Sequence, residues 1–375
     1  MKIGILTLPL HTNYGGILQA YALQTVLERM GHEVFVIHRP WRKKIVLWKF
    51  PLQIVKRSIS RYIFRHNVSI FAEKEWNSNQ PIIEINTQKF IDQHIYAYYI
   101  EKISDIKEGD FDTIVVGSDQ IWRRKYYRLH YNYIEDAFLS FTENWNITRI
   151  AYAPSFGSDK WEYTEKETQK CSYLLRKFDA ISVREQSGVE LCEKYLGCKD
   201  AKWVIDPTML LDKEDYERLI SKNVTSSGDL MCYVLDANDE ISELITKIAH
   251  EHNLKVFNAA SYVDNVSLPA ENRIQPPVEN WLASFRDAKL VVTDSFHACV
   301  FSILFHKPFI VVGNRNRGYS RFESLLKLFG LENRLIENPS HFNQSMLDSL
   351  SEEVYEKLDE YRSNSIDFLS KALNH

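Results

Sequence analysis

The chain has 375 residues, with 46 basic and 50 acidic side chains and a hydrophobic content of 45%, which is typical of a globular protein of two or three domains. Its five cysteines form no C-x-x-C pair, a pattern that indicates buried thiols in a reducing compartment and not a zinc site or a disulfide framework. The N-terminus has no secretory h-region, and the apolar runs are far shorter than the roughly 18 residues of a membrane span. We therefore expect a cytoplasmic protein.

Strands and helices alternate through the first half of the chain. Apolar runs predict buried strands at Lys2–Leu8, Glu33–His38, Phe111–Gly117, Arg149–Ala153, Ala180–Val183 and Ala201–Ile205. Helical spacing of apolar residues predicts helices at Ile17–Gly31, Lys166–Phe178 and Glu185–Leu196. This alternation is typical of a doubly wound parallel sheet.

A second alternation begins after residue 206. It predicts strands at Asp229–Leu235, Lys255–Phe257, Leu290–Thr293 and Pro308–Val312, and helices at Glu240–His252, Val278–Asp287 and Asp294–Phe305. We therefore predict an α/β fold with two Rossmann-like domains in a GT-B-like arrangement and a ligand cleft between them. The predicted domains are residues 1–205 and 206–335, and the helical tail 336–375 is expected to pack back on them.

Basic residues are concentrated near the N-terminus. Residues 1–72 contain 11 lysines and arginines but 2 acids, and no acid lies between Glu33 and Glu73. Within the basic segment of about residues 40–75, helical spacing of four apolar side chains predicts an amphipathic helix: Leu52, Val55, Ile59 and Tyr62.

Two interpretations of this helix are open. In the first, its apolar face packs it on the N-terminal domain as an ordinary surface helix. Alternatively, the face that carries Arg57, Arg61 and Arg65, preceded by Trp41 and Trp48, binds anionic lipid headgroups or the phosphates of an acceptor. Nucleic acid is not an expected partner, because the rest of the chain is acidic and contains no nucleic-acid-binding motif.

Two polar clusters follow predicted strands of the first domain. The first is Asn13-Tyr14-Gly15-Gly16, with Gln19 one turn into the next helix, and the second contains Asp119, Gln120 and Trp122. Ligands of open α/β sheets bind at the carboxyl ends of the strands, where glycines also allow close approach of the backbone. Asp119 is a candidate acceptor of a hydroxyl proton, and Gln120 and Trp122 are candidates to hold a sugar. The alternatives are an ordinary tight turn at the first cluster and a helix cap at Asp119.

Two further clusters favour an anionic ligand. Arg184 follows a strand and offers a planar fork to a carboxylate or phosphate, unless it pairs with neighbouring Glu185. His297 follows Asp294, Ser295 and Phe296 at a predicted helix N-terminus, where one site can bind an anion and supply a proton. The arginines after the next strand, which include Arg315 and Arg321, are candidates to bind a phosphate or form a solvated loop.

Together these segments resemble the polysaccharide pyruvyl transferase family. The matching motifs, in chain order, are Asn13-Tyr-Gly-Gly-Ile-Leu-Gln-Ala-Tyr-Ala-Leu-Gln24, Gly117-Ser-Asp-Gln-Ile-Trp122, Arg149-Ile-Ala-Tyr-Ala-Pro-Ser-Phe-Gly157, Phe178-Asp-Ala-Ile-Ser-Val-Arg-Glu185, Val204-Ile-Asp-Pro-Thr208 and Thr293-Asp-Ser-Phe-His297. The resemblance implies a GT-B-like fold and transfer of pyruvate from phosphoenolpyruvate to two hydroxyls of a sugar. The product is a cyclic ketal of a bacterial surface polysaccharide, such as a capsule or exopolysaccharide.

The resemblance also implies donor-site roles for Arg184 and His297, and the position and chemistry of the other candidate residues predict theirs. His297 and Arg184 are expected to be catalytic, with Asp119 as the candidate base. The expected donor-binding residues are Asp294, Ser295, Phe296, Arg315 and Arg321. The expected acceptor-binding residues are Asn13, Tyr14, Gly15, Gly16, Gln19, Gln120 and Trp122. Phosphoenolpyruvate is a co-substrate, and the chemistry requires neither a cofactor nor a metal.

Other functions are open from the sequence. One alternative is a GT-B glycosyltransferase that uses a nucleotide sugar, for which Glu323 would be the candidate ribose ligand. Another is a sugar-binding module without activity in an envelope-assembly complex. If the acceptor is linked to polyprenyl pyrophosphate, the basic segment would hold the enzyme at the inner face of the membrane.

Overall fold

Two parallel β-sheets, built from successive parts of the chain, form the computed structural model, which describes residues 1–43, 50–65, 69–313 and 318–374. The strands of the first sheet are β1 (Lys2–Leu6), β2 (Glu33–His38), β3 (Ala97–Tyr99), β4 (Thr113–Val116), β5 (Thr148–Ala151), β6 (Ala180–Val183) and β7 (Lys202–Trp203). Their order is β3-β2-β1-β4-β5-β6-β7, so the chain winds outward in both directions from β1 and β4.

The second sheet has five strands in the described part of the chain, in the order β12-β11-β10-β8-β9. These strands are β8 (Leu230–Tyr233), β9 (Val256–Asn258), β10 (Leu290–Thr293), β11 (Phe309–Val312) and β12 (Leu335–Ile336). The predicted division near residue 206 falls between β7 and β8. The predicted fold class, two Rossmann-like α/β units in a GT-B-like arrangement, is confirmed.

Helices connect the strands of both sheets. The first unit contains α1 (Tyr14–Arg29), α2 (Phe50–Tyr62), α3 (Ala72–Ile83), α4 (Ile85–His94), α5 (Arg124–His130), α6 (Glu165–Leu175) and α7 (Gln186–Leu196). After it come α8 (Lys213–Glu217), α9 (Asp239–Glu251), α10 (Val278–Asp287), α11 (Phe296–Leu304), α12 (Tyr319–Phe329) and α13 (Glu352–Leu373). None of the helices in the described ranges is both long and apolar enough to span a bilayer.

One hydrophobic cluster joins the two sheets. It contains side chains of α1 and β1 from the first unit and of α10 and α11 from the second, together with the turn at Pro207–Leu210. Burial of apolar surface stabilises the protein by roughly 25 cal/mol per Å² removed from water. The cluster therefore holds the two units against each other at the side where the chain crosses between them.

The C-terminal helix packs back on both units, as predicted. Leu358 and Leu369 are buried in the shared cluster, and the Arg362 guanidinium donates from Nε to the Met209 carbonyl at 2.9 Å. Near the end of the helix, the Phe368 ring lies 6.3 Å from that of Tyr152 in the first unit. The tail thus spans the boundary between the units.

The apolar face of the basic helix does not pack on the N-terminal domain, as the first of the two open interpretations required. In α2 the side chains of Leu52, Val55 and Ile59 are 75%, 56% and 41% exposed. A different side of the helix contacts the protein, because Arg57 forms a bidentate ion pair with Glu73, with both N–O distances 2.6 Å. Trp48 lies outside the described residues. The apolar face of α2 is therefore presented to the surroundings.

Candidate active site

The carboxylate of Asp206 lies where the two units meet. It follows β7 and is 2% exposed. Its Oδ2 accepts a hydrogen bond from Arg184 Nη1 at 2.7 Å and from Ser118 Oγ at 3.2 Å, and its Oδ1 accepts from Thr208 Oγ1 at 2.7 Å. Since Ser118 follows β4 and Arg184 follows β6, this carboxylate ties together the ends of three strands of the first sheet.

His297 reaches the same carboxylate from the second unit. It lies in the first turn of α11, and its Nε2 is 3.6 Å from Asp206 Oδ2. This nitrogen is buried and has no hydrogen-bond partner among the described residues. Burial alone would raise the pKa of Asp206, but His297 and Arg184 beside it hold that pKa well below its usual range. The site is therefore built around a permanently ionised carboxylate.

Gly15 in α1 packs directly on the imidazole of His297. The backbone there approaches the ring so closely that a Cβ added to Gly15 would overlap it. The first turn of α1, which belongs to the first unit, thereby fixes the position of a side chain from the second unit. Absence of a side chain at Gly15 is a packing requirement and not a requirement of backbone conformation.

Arg184 is buried between two carboxylates and an aromatic ring. Its Nε donates to Glu185 Oε1 at 3.0 Å, and its guanidinium carbon lies 4.3 Å from the centre of the Phe296 ring. Burial would lower the pKa of Arg184, but the charges of Glu185, Asp206 and Asp119 raise it, so this side chain stays cationic. Its Nη2 is buried and makes no hydrogen bond to any described residue, so it can donate to a ligand.

A second cation and a helix N-terminus lie beside Arg184. The guanidinium carbon of Arg321, from α12, lies 5.5 Å from the centre of the same Phe296 ring. Burial together with repulsion from Arg184 lowers the pKa of Arg321 to about 10. The N-terminus of α11 has Ser295 as its N-cap residue and no side-chain cap. Free N–H groups of a helix N-terminus and two arginines form a site suited to an anion such as a phosphate or carboxylate.

Asp119 lies between this cationic group and a cluster of rings. It has φ +63° and ψ −171°, a conformation that costs a residue other than glycine about 1–3 kcal/mol. Its carboxylate interacts electrostatically with Arg184 and Arg321 on one side and with His11 and His130 on the other. Strained backbone at a buried carboxylate in a cleft is typical of a functional residue.

The ring cluster consists of His11, Trp41 and His130. The Trp41 ring centre is 5.4 Å from that of His11 and 4.6 Å from that of His130. Burial lowers the pKa of both histidines to about 4, so they are neutral at pH 7. Asp119 therefore faces cations on one side and neutral rings on the other.

A cavity of about 840 Å³ lies next to the ring cluster, and we call it the Trp41 cavity; its lining includes Leu10, His38, Trp41, Gln80, Glu84 and Gln88. Glu84, between α3 and α4, lacks a charged partner there among the described residues, and burial raises the pKa of its carboxyl to about 7. When the Gln80 side-chain amide is oriented with its nitrogen towards Glu84, that nitrogen donates to Glu84 Oε1 at 2.7 Å.

Two predicted acceptor residues lie in the interior and not in the cleft. The Trp122 indole is fully buried, its Nε1 donates to the Ala137 carbonyl at 3.1 Å, and its ring stacks on Phe138. The short 3₁₀ turn Gln120–Trp122 rotates this side chain inward. Gln19 is also fully buried and donates to Thr7 Oγ1 at 2.9 Å. Neither side chain has surface to offer a sugar.

The other predicted residues of the first unit have internal contacts near the cleft. Asn13 is exposed and caps α1 by accepting a hydrogen bond from Gly16 N at 3.2 Å. The Tyr14 hydroxyl donates to the Pro276 carbonyl at 2.8 Å, across the boundary between the units. Gln120 Oε1 accepts from Arg123 Nη1 at 2.8 Å. Of these, Asn13 and Gln120 retain surface for a ligand.

On the donor side, Asp294 serves the fold of its own unit. Its carboxylate accepts hydrogen bonds from Leu235 N at 2.8 Å and Asp236 N at 2.9 Å, which fixes the loop after β8. Ser295 is half-buried and Phe296 is buried between the two arginines. Arg315 lies outside the described residues, so its predicted role stays a prediction.

Sequence reasoning did not single out Asp206, although this carboxylate organises the site. Asp206 lies in the Val204-Ile-Asp-Pro-Thr208 motif and follows a predicted strand, as Asp119 and Arg184 do, but no role was assigned to it. His11 and Glu84 were also missed, and Trp41 was assigned to the lipid-binding segment, because these residues are brought together by β1, β2 and the helices between β2 and β3. Within the described ranges, no group of three His, Cys, Asp or Glu side chains is arranged to hold a metal ion.

The fold and the site define a two-domain α/β protein with buried arginines and a helix N-terminus grouped at the domain boundary. Residues 13–316 match the family model described as polysaccharide pyruvyl transferase, and the chain belongs to this family. It is therefore assigned as a transferase of polysaccharide biosynthesis with a saccharide acceptor. No curated protein sequence matches the chain significantly.

Several solved structures are similar to the chain. A co-structure of S. aureus MnaA with UDP has 11% identity, with 96% of this chain and 90% of that chain covered and a TM-score of 0.46. Acinetobacter baumannii MurG has 11% identity, 99% of both chains covered and a TM-score of 0.46. UDP-GlcNAc 2-epimerase of Methanocaldococcus jannaschii, in complex with UDP-GlcNAc and UDP, has 13% identity and a TM-score of 0.46, with 100% of this chain and 99% of that chain covered. Similarity at this level carries no argument about activity.

The contact between Gly15 and His297 predicts unequal effects of two neighbouring substitutions. Gly15→Ala is expected to destabilise the protein by about 1–3 kcal/mol, because its methyl group overlaps the imidazole and forces it to move. Gly16→Ala is the matched control: its methyl group would meet only Asn13, at 3.5 Å, and the change should be neutral or stabilising by up to about 1 kcal/mol. Urea unfolding of both variants measures the difference, and equal effects would contradict the packing described.

Burial of Glu84 predicts a pH-dependent stability. Its folded-state pKa of about 7 lies above the ordinary value of 4.5, so the folded protein binds a proton that the unfolded chain releases between these values. The stability that Glu84 contributes therefore falls as pH rises from about 4.5 to 7. Glu84→Gln should increase the free energy of unfolding by about 1–2 kcal/mol more at pH 8 than at pH 4.5, after allowance for partial contact with water. An equal effect of the substitution at both pH values would show that the carboxyl is not desolvated.

Proposed function

We propose that the protein transfers pyruvate from phosphoenolpyruvate to two hydroxyls of a saccharide and releases phosphate. The observation that carries this proposal is the convergence of Arg184 and His297, from different units, on the Asp206 carboxylate. A donor with both a carboxylate and a phosphate needs cations, and its methylene carbon needs a proton donor. The site supplies both within one buried group of side chains.

Donor binding is assigned to Arg184, Arg321 and the N-terminus of α11. Nη2 of Arg184 is the donor left over after Nε and Nη1 bind Glu185 and Asp206, so the two carboxylates orient the guanidinium fork. The N–H groups at the start of α11 and the Arg321 guanidinium favour a second anionic group nearby. Together they suit the two charged ends of phosphoenolpyruvate.

His297 is assigned as the acid. Asp206 and the backbone of Gly15 hold its ring from two sides, an arrangement that fixes an imidazole for proton transfer. It protonates the methylene carbon, which becomes a methyl group, and the adjacent carbon gains oxocarbenium character. One sugar hydroxyl loses its proton and bonds to that carbon, and phosphate leaves with the electron pair of the broken C–O bond. A second hydroxyl then loses its proton and closes the ketal.

Asp119 is assigned as the base that accepts a hydroxyl proton. It is buried, its backbone is strained, and it lies between the arginines and the ring cluster. This position places a carboxylate between the donor site and the side on which a saccharide would approach. We further propose that the acceptor belongs to a bacterial surface polysaccharide and is carried on polyprenyl pyrophosphate.

The transfer reaction is tested by incubating the protein with phosphoenolpyruvate and candidate bacterial saccharides, followed by mass spectrometry. We expect an acceptor that gains the mass of pyruvate less water, with release of phosphate. His297→Asn should reduce kcat by about 10²- to 10⁴-fold, because general acid catalysis is lost. Arg184→Lys keeps the charge between Glu185 and Asp206 but lacks the Nη2 donor, and should weaken phosphoenolpyruvate binding by roughly 10- to 150-fold.

Matched controls replace the same residue types on the surface. His250→Asn on α9 and Arg176→Lys at the end of α6 alter exposed side chains and should leave rate and affinity unchanged. Lysine is preferred to alanine at Arg184, because removal of the cation would leave two buried carboxylates without compensation. A protein that does not bind phosphoenolpyruvate in calorimetric titration, or whose activity is unaffected by His297→Asn, would contradict the proposal.

We also propose that α2 rests on an anionic membrane surface. Its apolar face is exposed, and a groove of about 600 Å³ runs along Leu52, Val55 and Ile59 with Lys56 at its side. The surrounding segment has no acid between Glu33 and Glu73, so its charge is complementary to anionic lipid headgroups. An amphipathic basic helix with an exposed apolar face is typical of a helix that lies in the membrane interface.

Co-sedimentation with vesicles of phosphatidylcholine and phosphatidylglycerol tests this docking. We expect salt-sensitive binding, because each basic residue near an anionic surface contributes about 1 kcal/mol. Leu52→Gln with Ile59→Gln, and separately Lys56→Gln with Arg61→Gln, should each reduce binding at least 10-fold. The control Lys247→Gln with Lys371→Gln removes the same charge from other helices and should bind normally.

Two results would contradict membrane docking. One is equal binding to vesicles with and without phosphatidylglycerol. The other is a change of oligomeric state in the α2 variants without loss of vesicle binding, which would identify this face as a contact between two copies of the chain.

A further inference from the structure

The Trp41 cavity opens at the same edge of the first sheet as Asp119. Its lining includes Leu10, which follows β1, and His38, the last residue of β2. Asp119 follows β4, and the three strands are neighbours in the order β2-β1-β4. Since adjacent strands lie about 4.8 Å apart, the ends of β2 and β4 are separated by about 10 Å. The cavity therefore lies beside the proposed base, Asp119. Its distance from Asp119 is that expected between a reacting sugar and the group next to it in the substrate.

The ring cluster connects the cavity with the site. Trp41 lines the cavity and also contacts His11 and His130, the two histidines that interact with Asp119. A ligand that extends from Asp119 into the cavity would therefore pass along an indole and two neutral imidazoles. Such rings favour a ligand with C–H faces and no charge of its own.

The lining of the cavity is polar and carries charged side chains of both signs, Arg42 and Lys89 against Glu84 and Asp92. His38 is 2% exposed, and its Nδ1 has no hydrogen-bond partner among the described residues. The Glu84 carboxyl and the amides of Gln80 and Gln88 also line the cavity, while Gln88 Nε2 donates to Asp92 Oδ1 at 2.8 Å. These groups can donate to and accept from hydroxyls, and the lining offers an anion no excess of positive charge, because its two cations are matched by two carboxyls. An unpaired buried imidazole is costly unless a ligand satisfies it.

We infer that the Trp41 cavity is a saccharide-binding site that holds the part of the acceptor next to the sugar that receives pyruvate. The identification of this saccharide as part of the acceptor rests on the proposed function, whereas the binding of a neutral pyranoside does not. Trp41 provides the face on which a sugar ring packs, and His38, Glu84 and Gln88 provide hydrogen bonds to its hydroxyls. A cavity of about 840 Å³ is within the range of about 300–1,000 Å³ found for ligand pockets.

Saturation-transfer NMR tests the site with the methyl β-pyranosides of glucose, galactose, mannose and N-acetylglucosamine and with lactose. We expect at least one of these probes to receive saturation from the full-length protein. Trp41→Leu and, separately, Gln88→Leu should each weaken its binding at least 10-fold, and Trp41→Phe should restore part of it because a ring is retained. Tyr133→Leu changes an aromatic side chain that is 65% exposed and does not line the cavity, and it should leave binding unchanged.

Calorimetric titration with phosphoenolpyruvate separates this inference from the proposed function. Cavity variants that lose the pyranoside and retain phosphoenolpyruvate support the inference. Trp41-dependent pyranoside binding by a protein that does not bind phosphoenolpyruvate supports the saccharide site and overturns the proposed reaction. The inference itself is overturned if no pyranoside binds, if Trp41→Leu and Gln88→Leu bind it as wild type does, or if pyruvyl transfer occurs with an acceptor KM that neither variant changes.

Discussion

The buried carboxylate of Asp206 is the interaction on which the arrangement of this site depends. An isolated carboxylate at 2% exposure would be strongly destabilising, and it is tolerated because an arginine, two hydroxyls and a backbone N–H compensate it within the first unit. The ends of β4, β6 and β7 must converge for these bonds to form. His297 then approaches from the second unit, so the same ion that organises one sheet edge also sets where the other unit docks.

The neighbourhood of this carboxylate divides into two electrostatic environments. Towards α11 and α12 lie two guanidiniums and a helix N-terminus, where anions are stabilised. Towards β1 and β2 lie neutral histidines and a tryptophan. Beside them is the Trp41 cavity, where the Glu84 carboxyl is partly desolvated. Asp119 lies between them. Such a division suits the proposed reaction, which joins a charged donor to a polyol.

The sequence predicted the alternation of strands and helices well, because buried parallel strands are short apolar runs and their helices carry an apolar face. Glu33–His38, Ala180–Val183, Val278–Asp287 and Leu290–Thr293 have the predicted bounds. The very short β3 and β12 and helices such as α5 lack that periodicity and were not predicted. Asp206 was missed because its importance arises from the convergence of distant segments. Trp122 and α2 show a related limit: a local pattern identifies an apolar or aromatic side chain, but only the tertiary structure decides whether it meets a core, a ligand or the surroundings.

The return of the C-terminal helix has a mechanical consequence. The chain crosses between the units near residue 205 and again within α13, and these two crossings touch, with Ile205 N donating to Ser365 Oγ at 3.3 Å. Two adjacent connections define a hinge line, and Asp206 lies next to it. Rotation about this line would displace the Asp206 group least and would separate the units most at the far contact, where Gln275 Nε2 donates to the Thr12 carbonyl at 2.9 Å. Such a rotation would widen the cleft at that end while the ion pairs beside the hinge remain formed.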